Sequence, residues 1–270
     1  EPLGLARLRF DAIDKLGEDS LPPAFANRGR SLADWRDFLS TLVMVNIRNG
    51  FAIRINPADQ HWLIRKGFPR SLVGPGGKKQ GSSDLAWPQA RSSARRAIVV
   101  HMLEMGLGLD ASQADQRETI NAVLEAAWSA LGPILVRPGM GAHYALDFDK
   151  AHVAPVVAAF ACPVSKRLLD TTFAGISPYG MDGTSRLAGQ ICERLEMPRH
   201  PNPFLLPERG GNAIVKDWLS ADGAIAKLRE RALWGDIHDR LALGSPYARA
   251  AEHSAQQPPA RLRRYEEAFK

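Results

Sequence analysis

Three stretches of this chain carry lysines or arginines at spacings that could meet phosphate. The first is Gly74-Pro-Gly-Gly-Lys-Lys-Gln-Gly81, a glycine-rich loop holding Lys78 and Lys79. A nucleotide-cradling loop needs a glycine, four residues, then Gly-Lys and a hydroxyl residue, so that backbone amides wrap the phosphates and the hydroxyl reaches magnesium. Here Lys79 stands where the hydroxyl must be and Leu72 where the first glycine must be. A nucleotide site is rejected; a solvated basic loop able to touch phosphate is left. The second stretch is Arg91-Ser-Ser-Ala-Arg-Arg96, with Arg91, Arg95 and Arg96 near a helix start. Clustered arginines neutralise phosphates and give salt-dependent binding, although a solvated helix face explains the same residues. The third is the tail from Pro246 to Lys270, which reads as a short buried strand, a polar loop with His253 and Ser254, and an amphipathic helix with Arg261. Loops at the carboxyl ends of strands are where α/β folds place ligand contacts, and a guanidinium suits phosphate geometry. By itself Arg261, beside Arg263 and Arg264, reads as a solvated helix residue.

Catalytic and metal-binding patterns are not found. Seven histidines occur, and none has the spacing of a helical metal pair. In Asp236-Ile-His238-Asp239 a helix would set the two aspartates side by side and turn His238 away from both. No Gly-x-Ser-x-Gly elbow is present. The two cysteines, Cys162 and Cys192, are too few for a disulfide framework or a four-ligand zinc site, and read as reduced, buried thiols. No catalytic residue and no metal ligand is therefore assigned.

Composition sets the class. The chain has 270 residues, 45% hydrophobic and 24% charged, in the range of a globular protein of one large or two modest domains. Its net charge of +6 mildly favours a polyanionic partner. The longest apolar stretch, roughly Ala151–Pro163, is too short and interrupted to span a bilayer. No leader pattern is visible, and a cytoplasmic protein without a membrane partner is expected. The Glu1 start and the Lys270 end suggest a segment of something larger.

The elements that must position these residues are read from pattern. Ser31-Leu-Ala-Asp34 looks like a capping box opening a helix to about Ile47. Phe51–Ile55 alternates as a strand, and Ala58–Lys66 reads as a helix. Pro88 suits the first turn of a helix running through Arg95 and Arg96 to Met105. A second helix covers Gln113–Leu131, and Ile134–Arg137 with His143–Phe148 reads as a hairpin. Helix, helix, hairpin is the order of a winged helix, a module that reads DNA, and equally of a plain packing unit. Val153–Ala161 is a strand or a short helix, Arg186–Leu195 a helix, and Asp217–Arg231 and Ala232–Leu243 charged amphipathic helices. The expected fold is α+β and predominantly helical. It divides into a helical region with a short β element (1–86), a winged-helix-like unit (87–150), a loop-rich segment (151–199), and a linker leading into an incomplete RecA-like α/β segment (200–270).

Two stretches resemble the large bacterial superfamily 2 DEAD/DEAH-box helicases, including those of phage-defence type. Cys162-Pro-Val-Ser-Lys-Arg-Leu-Leu-Asp-Thr-Thr-Phe-Ala-Gly-Ile-Ser-Pro-Tyr179 is similar to a segment these proteins carry between their two RecA-like motor domains. Leu233–Leu241, then Arg249–Gln257 and on to Phe269, is similar to the entry to the second motor domain. The resemblance implies that His253 and Ser254 occupy the turn after a strand, where the family has His-Gly, and that Arg261 contacts phosphate. It implies DNA or RNA, the rest of the motor and other defence-system subunits as partners, and ATP with magnesium as cofactors of the parent protein. The ATP-binding and hydrolysis motifs lie outside this stretch, so no ATPase activity is expected of the chain alone. The competing reading is an interaction scaffold, in which the helical first 130 or so residues dock a partner and the basic charge is incidental.

Overall fold

A computed structural model describes residues 6–48, 53–54, 71–79, 81, 84–92, 97–137, 143–179, 189–201, 206–207 and 210–244. The chain divides between Met197 and Pro198 into two units. The first opens with β1 (Ala6–Phe10), α1 (Asp11–Asp14), α2 (Pro23–Ala26) and α3 (Leu32–Arg48). It continues with β2 (Ile53–Arg54), β3 (Leu72–Val73), β4 (Leu85–Ala86), α4 (Ile98–Leu107) and α5 (Ala114–Leu131). It ends with β5 (Leu135–Val136), β6 (His143–Asp147), β7 (Ala151–Pro155), β8 (Ala158–Ala161), β9 (Leu168–Leu169) and β10 (Glu193–Glu196). The second unit holds α6 (Gly211–Ala221), α7 (Gly223–Glu230) and α8 (Asp236–Ala242). Among the described residues the fold is mixed α and β, with more helix than strand.

α3 is the spine of the first unit. The Ser31 N–H donates to the Asp34 carboxylate at 2.8 Å and the Asp34 N–H donates to Ser31 Oγ at 3.2 Å, the reciprocal pair of a capping box. One stripe of the helix, Trp35, Phe38, Leu39 and Leu42, is fully buried. Phe25 packs edge-on to Trp35 with ring centroids 5.1 Å apart, and Phe173 lies 5.3 Å from both Phe25 and Phe38. This aromatic group fixes α2, α3 and the chain after β9 in one core.

α4 and α5 complete it. α4 stops at Gly108, whose φ of 63° is left-handed, and Leu109 N–H turns back to the Glu104 carbonyl. The last carbonyls of a helix lack partners within it. Arg30 Nη2 reaches the Gly106 carbonyl at 2.6 Å and Arg28 Nε the Leu107 carbonyl at 2.6 Å. α5 buries Ile120, Val123, Leu124, Ala127 and Leu131, the spacing of one helical face.

The helix expected from Pro88 starts later, at Ile98. Backbone groups that an earlier start would need are already used. Trp87 N–H bonds the Val73 carbonyl in the parallel β3–β4 ladder, and Asn121 on α5 holds both the N–H and the carbonyl of Ala90.

β5 and β6 form the expected antiparallel hairpin, with Leu135 opposite Leu146. β6 also pairs with β2 and β3, so it is the central strand of a sheet. The apolar run Val153–Ala161 becomes two strands in different sheets: β7 pairs with β1, and β8 pairs with β9 and β10. Residues Glu193–Leu195, expected in a helix, belong instead to β10, because β8 offers an antiparallel edge that pairs them in register. The helix expected over 58–66 lies outside the described residues.

In the second unit Asp222 links two helices. Its Oδ1 accepts from Ala224 and Ile225 N–H at the start of α7, and its Oδ2 from the Trp218 indole of α6. A row of rings follows: His200 against Trp218, Trp218 against Trp234, and Trp234 stacked on His238 at 4.8 Å.

Candidate polyanion-binding cleft

Arg7 and Arg9 are two apart on β1, so they leave the same face of the strand. α3 presents Arg36, Asp37 and Ser40 to that face, and Asp170 and Thr171 follow β9. Together they line a cleft of about 260 Å³. A smaller apolar pocket of about 110 Å³ adjoins it, sharing Met44, Asp170 and Thr171 and walled by Ile98, Leu169 and Tyr179.

The charges in the cleft are unevenly engaged. Arg9 grips Asp14 through two nitrogens, with Nε 2.9 Å from Oδ2, and this hydrogen-bonded pairing raises the guanidinium pKa further. Arg36 donates one terminal nitrogen to the Leu16 carbonyl. The Nε groups of Arg7 and Arg36 are buried and have no hydrogen-bond partner. Asp37 is pushed up to about 6, first by burial of its carboxyl, and the Thr171 hydroxyl at 3.4 Å only partly offsets this. Three arginines, Arg7, Arg9 and Arg36, face three aspartates, Asp14, Asp37 and Asp170, across the cleft, and the upward shift of Asp37 tips this balance toward the arginines only as the pH falls. Guanidinium forks with spare N–H groups suit phosphate or carboxylate oxygens.

The sequence motifs lie elsewhere or outside the described residues. Lys78 and Lys79 are exposed, beyond a turn in which Gly77 N–H bonds the Gly74 carbonyl, and neither lines the cleft. Arg91 is exposed directly after Ala90 and does not line it either. Arg95, Arg96, His253, Ser254 and Arg261 lie outside the described residues. The cleft arginines escaped the sequence reading because Arg36 is distant in sequence from β1. The signal available was Arg-x-Arg within an alternating segment.

A serine, histidine and aspartate also meet, unforeseen from sequence. Ser71 Oγ lies 2.6 Å from Asp84 Oδ1 and 2.9 Å from His143 Nδ1, and the same Nδ1 is 3.4 Å from Asp84. A hydrolytic triad needs the imidazole between the other two, one nitrogen to each. Here one nitrogen serves both, and Asp84 also accepts from Gly81 N–H at 2.9 Å. The cluster pins β3, β6 and the basic loop.

Among the described residues no group of three or more His, Cys, Asp or Glu side chains is placed to hold a metal ion. No described helix is long and apolar enough to cross a membrane. No protein-family model, curated protein or solved structure matches the chain.

Proposed function

We propose that this chain grips nucleic acid between the motor halves of a superfamily 2 helicase or translocase, and that it has no ATPase activity by itself. The sequence resemblance at Cys162–Tyr179 and Leu233–Phe269 supports the family. The observation that carries the gripping role is the cleft, where Arg7 and Arg36 each bury an Nε–H without an acceptor. Guanidinium groups that line an open cleft suit the oxygens of a backbone phosphate. On this reading α4, α5 and the β5–β6 hairpin serve as the winged-helix-like unit. Residues 200–270 lead into the second RecA-like domain, where His253, Ser254 and Arg261 contact the strand. Lys78, Lys79, Arg91, Arg95 and Arg96 add sequence-independent attraction, and ATP with magnesium binds the parent outside this chain, in the cytoplasm.

The test is fluorescence anisotropy of the chain with labelled single-stranded and duplex DNA at low and moderate salt. Salt-sensitive binding is expected. Arg7→Ala with Arg36→Ala should weaken it by roughly ten-fold and lower the salt slope. Unchanged affinity in a double variant of native circular dichroism overturns the role of the cleft. ATP turnover by the purified chain overturns the second half of the proposal.

The competing reading remains an interaction scaffold, in which the helical first 130 or so residues dock a partner and the basic charge is incidental. Capture of a defined parent-motor fragment by residues 1–197, with no DNA affinity at low salt, would favour it.

A further inference from the structure

We infer that Cys162 and Cys192 form an oxidisable dithiol that closes into a disulfide across β8 and β10, making this pair a site of reversible peroxide modification. The inference is independent of the nucleic-acid reading. It begins with register. β8 and β10 pair antiparallel, with Ala158 opposite Glu196 and Ala161 opposite Glu193. One step further along both strands sets Cys162 opposite Cys192. Directly opposed residues put their side chains on the same face.

The pair is also of the close type. Met197 N–H donates to the Val157 carbonyl at 2.9 Å, so 157 and 197 are a hydrogen-bonded pair. Such pairs alternate with non-hydrogen-bonded ones along an antiparallel ladder, which makes 162 and 192 non-hydrogen-bonded. Their backbone N–H groups point outward accordingly, Cys162 to the Arg167 carbonyl at 2.9 Å and Cys192 to the Gly175 carbonyl at 2.8 Å. Opposed Cα atoms in such pairs lie about 4.5 Å apart, within the span of about 4.4–6.8 Å that a disulfide bridges.

The two sulfurs are not equivalent. After Cys162 the chain turns through Pro163 and closes with Lys166 at a left-handed φ of 54°. That turn aims the Ser165 N–H at Cys162 Sγ from 3.2 Å, and Ser177 Oγ lies 3.0 Å from the same sulfur. The Ser165 hydroxyl is near it as well, without an aligned bond. Burial works to raise the Cys162 thiol, yet hydrogen bonds from Ser165, Ser177 and Val164 outweigh it and hold the thiol below its ordinary value. Burial first, and then the neighbouring Cys162, push Cys192 up to about 12. Cys162 is the sulfur prepared to be a thiolate, and Cys192 the one that keeps its proton.

The chemistry follows from that asymmetry. The Cys162 thiolate attacks one oxygen of hydrogen peroxide, the O–O bond breaks, and the departing hydroxide takes a proton to become water. Cys162 is then a sulfenic acid. The Cys192 sulfur displaces the hydroxyl from it, and the Cys192 proton leaves with that hydroxyl as a second water. Two thiols and one peroxide give one disulfide and two waters; the sulfurs lose two electrons and the peroxide gains them. Both cysteines are nearly enclosed, at 3% and 5% exposure, which selects small oxidants over bulky thiols. The bridge would clamp the segment that carries Asp170 and Thr171, one wall of the cleft.

The experiment treats the whole chain with hydrogen peroxide and, separately, with diamide, then alkylates it in denaturant. Intact mass should show loss of two hydrogens and no alkylation. Dithiothreitol should restore two alkylated thiols, and peptide mapping should join Cys162 to Cys192. In Cys192→Ser, dimedone should trap a sulfenic acid on Cys162; in Cys162→Ser, Cys192 should stay unmodified. Two alkylatable thiols after both oxidants, or bridges only between molecules, overturn the inference. So does one equivalent of tightly held zinc that protects both thiols, which would assign the pair to a metal.

Discussion

Asn121 holds Ala90 at two points. Its Oδ1 accepts from the Ala90 N–H at 2.8 Å and its Nδ2 donates to the Ala90 carbonyl at 3.2 Å. Ala90 is buried, so water cannot replace the amide without opening the packing. Asn121→Ala should lower stability by about 1–3 kcal/mol, the cost of leaving buried polar groups unmatched. A urea midpoint equal to that of the unchanged protein would show that the two bonds hold nothing. Arg91 follows Ala90 directly, so looser tethering should also speed proteolysis at this arginine.

This contact shows what could be read from the residues and what could not. The start of α3 was legible because Ser31 and Asp34 bond each other across one turn, and the β5–β6 hairpin because its strands are neighbours in sequence. The late start of α4 was hidden, since Pro88 favours a helix locally while Asn121 and Val73 claim the backbone around it from afar. β10 was hidden for the same reason: Glu193–Leu195 fits a helix until β8 lies alongside. The cleft needed Arg7 and Arg9 on one strand face and Arg36 on a helix packed across from them, a meeting that no local spacing encodes. The Cys162–Cys192 pairing likewise depends on strand register.

Gly106 sits where α4 meets Phe173. A Cβ there would lie 2.1 Å from one ring carbon and under 3 Å from two more. Alanine gains roughly 1 kcal/mol over glycine in a helix interior, while overpacking a filled core costs about 1–3 kcal/mol. Phe173 is fully buried among Phe25 and Phe38 and cannot swing away. The clash should win, and Gly106→Ala should lower the melting temperature. Phe173→Leu in the same chain should recover part of the loss. A more stable Gly106→Ala would mean that the ring has room to shift.

Asp37 gives stability a pH dependence of known sign. Its folded value, about 6, lies above the ordinary 3.8. A raised carboxyl favours folding fully below the ordinary value, and that contribution is lost as pH rises through about 6. Asp37→Asn removes the ionisation, so it should stabilise at pH 8 and make little difference below pH 4. Asp37 as a whole is exposed although its carboxyl is crowded. Solvent screening therefore limits the gain to the order of 1 kcal/mol rather than the full value of such a shift. Urea midpoints of both proteins across that range check it, and parallel profiles would refute it.

Asp222 makes a local prediction in the second unit. Its Oδ1 takes the Ala224 N–H at 2.8 Å and the Ile225 N–H at 3.1 Å, two donors that α7 itself cannot satisfy. Its Oδ2 takes the Trp218 indole at 3.1 Å, so one carboxylate joins the end of α6 to the start of α7. Removing a cap of this kind costs about 1 kcal/mol, and the indole bond adds to it. In Asp222→Ala the amides of Ala224 and Ile225 should exchange hydrogen roughly five-fold faster or more, by the same cap energy. Asp222→Asn keeps an acceptor for both amides but sets an NH2 donor against the Trp218 indole, so its rates should fall between those of the alanine variant and the original. Amides of α3, in the first unit, serve as the internal standard, since they belong to a different core. Faster exchange throughout both units would mean that Asp222 supports the whole chain. Unchanged rates at Ala224 and Ile225 would mean that water replaces the cap without loss, and that the Trp218, Trp234 and His238 rings alone hold the three helices together.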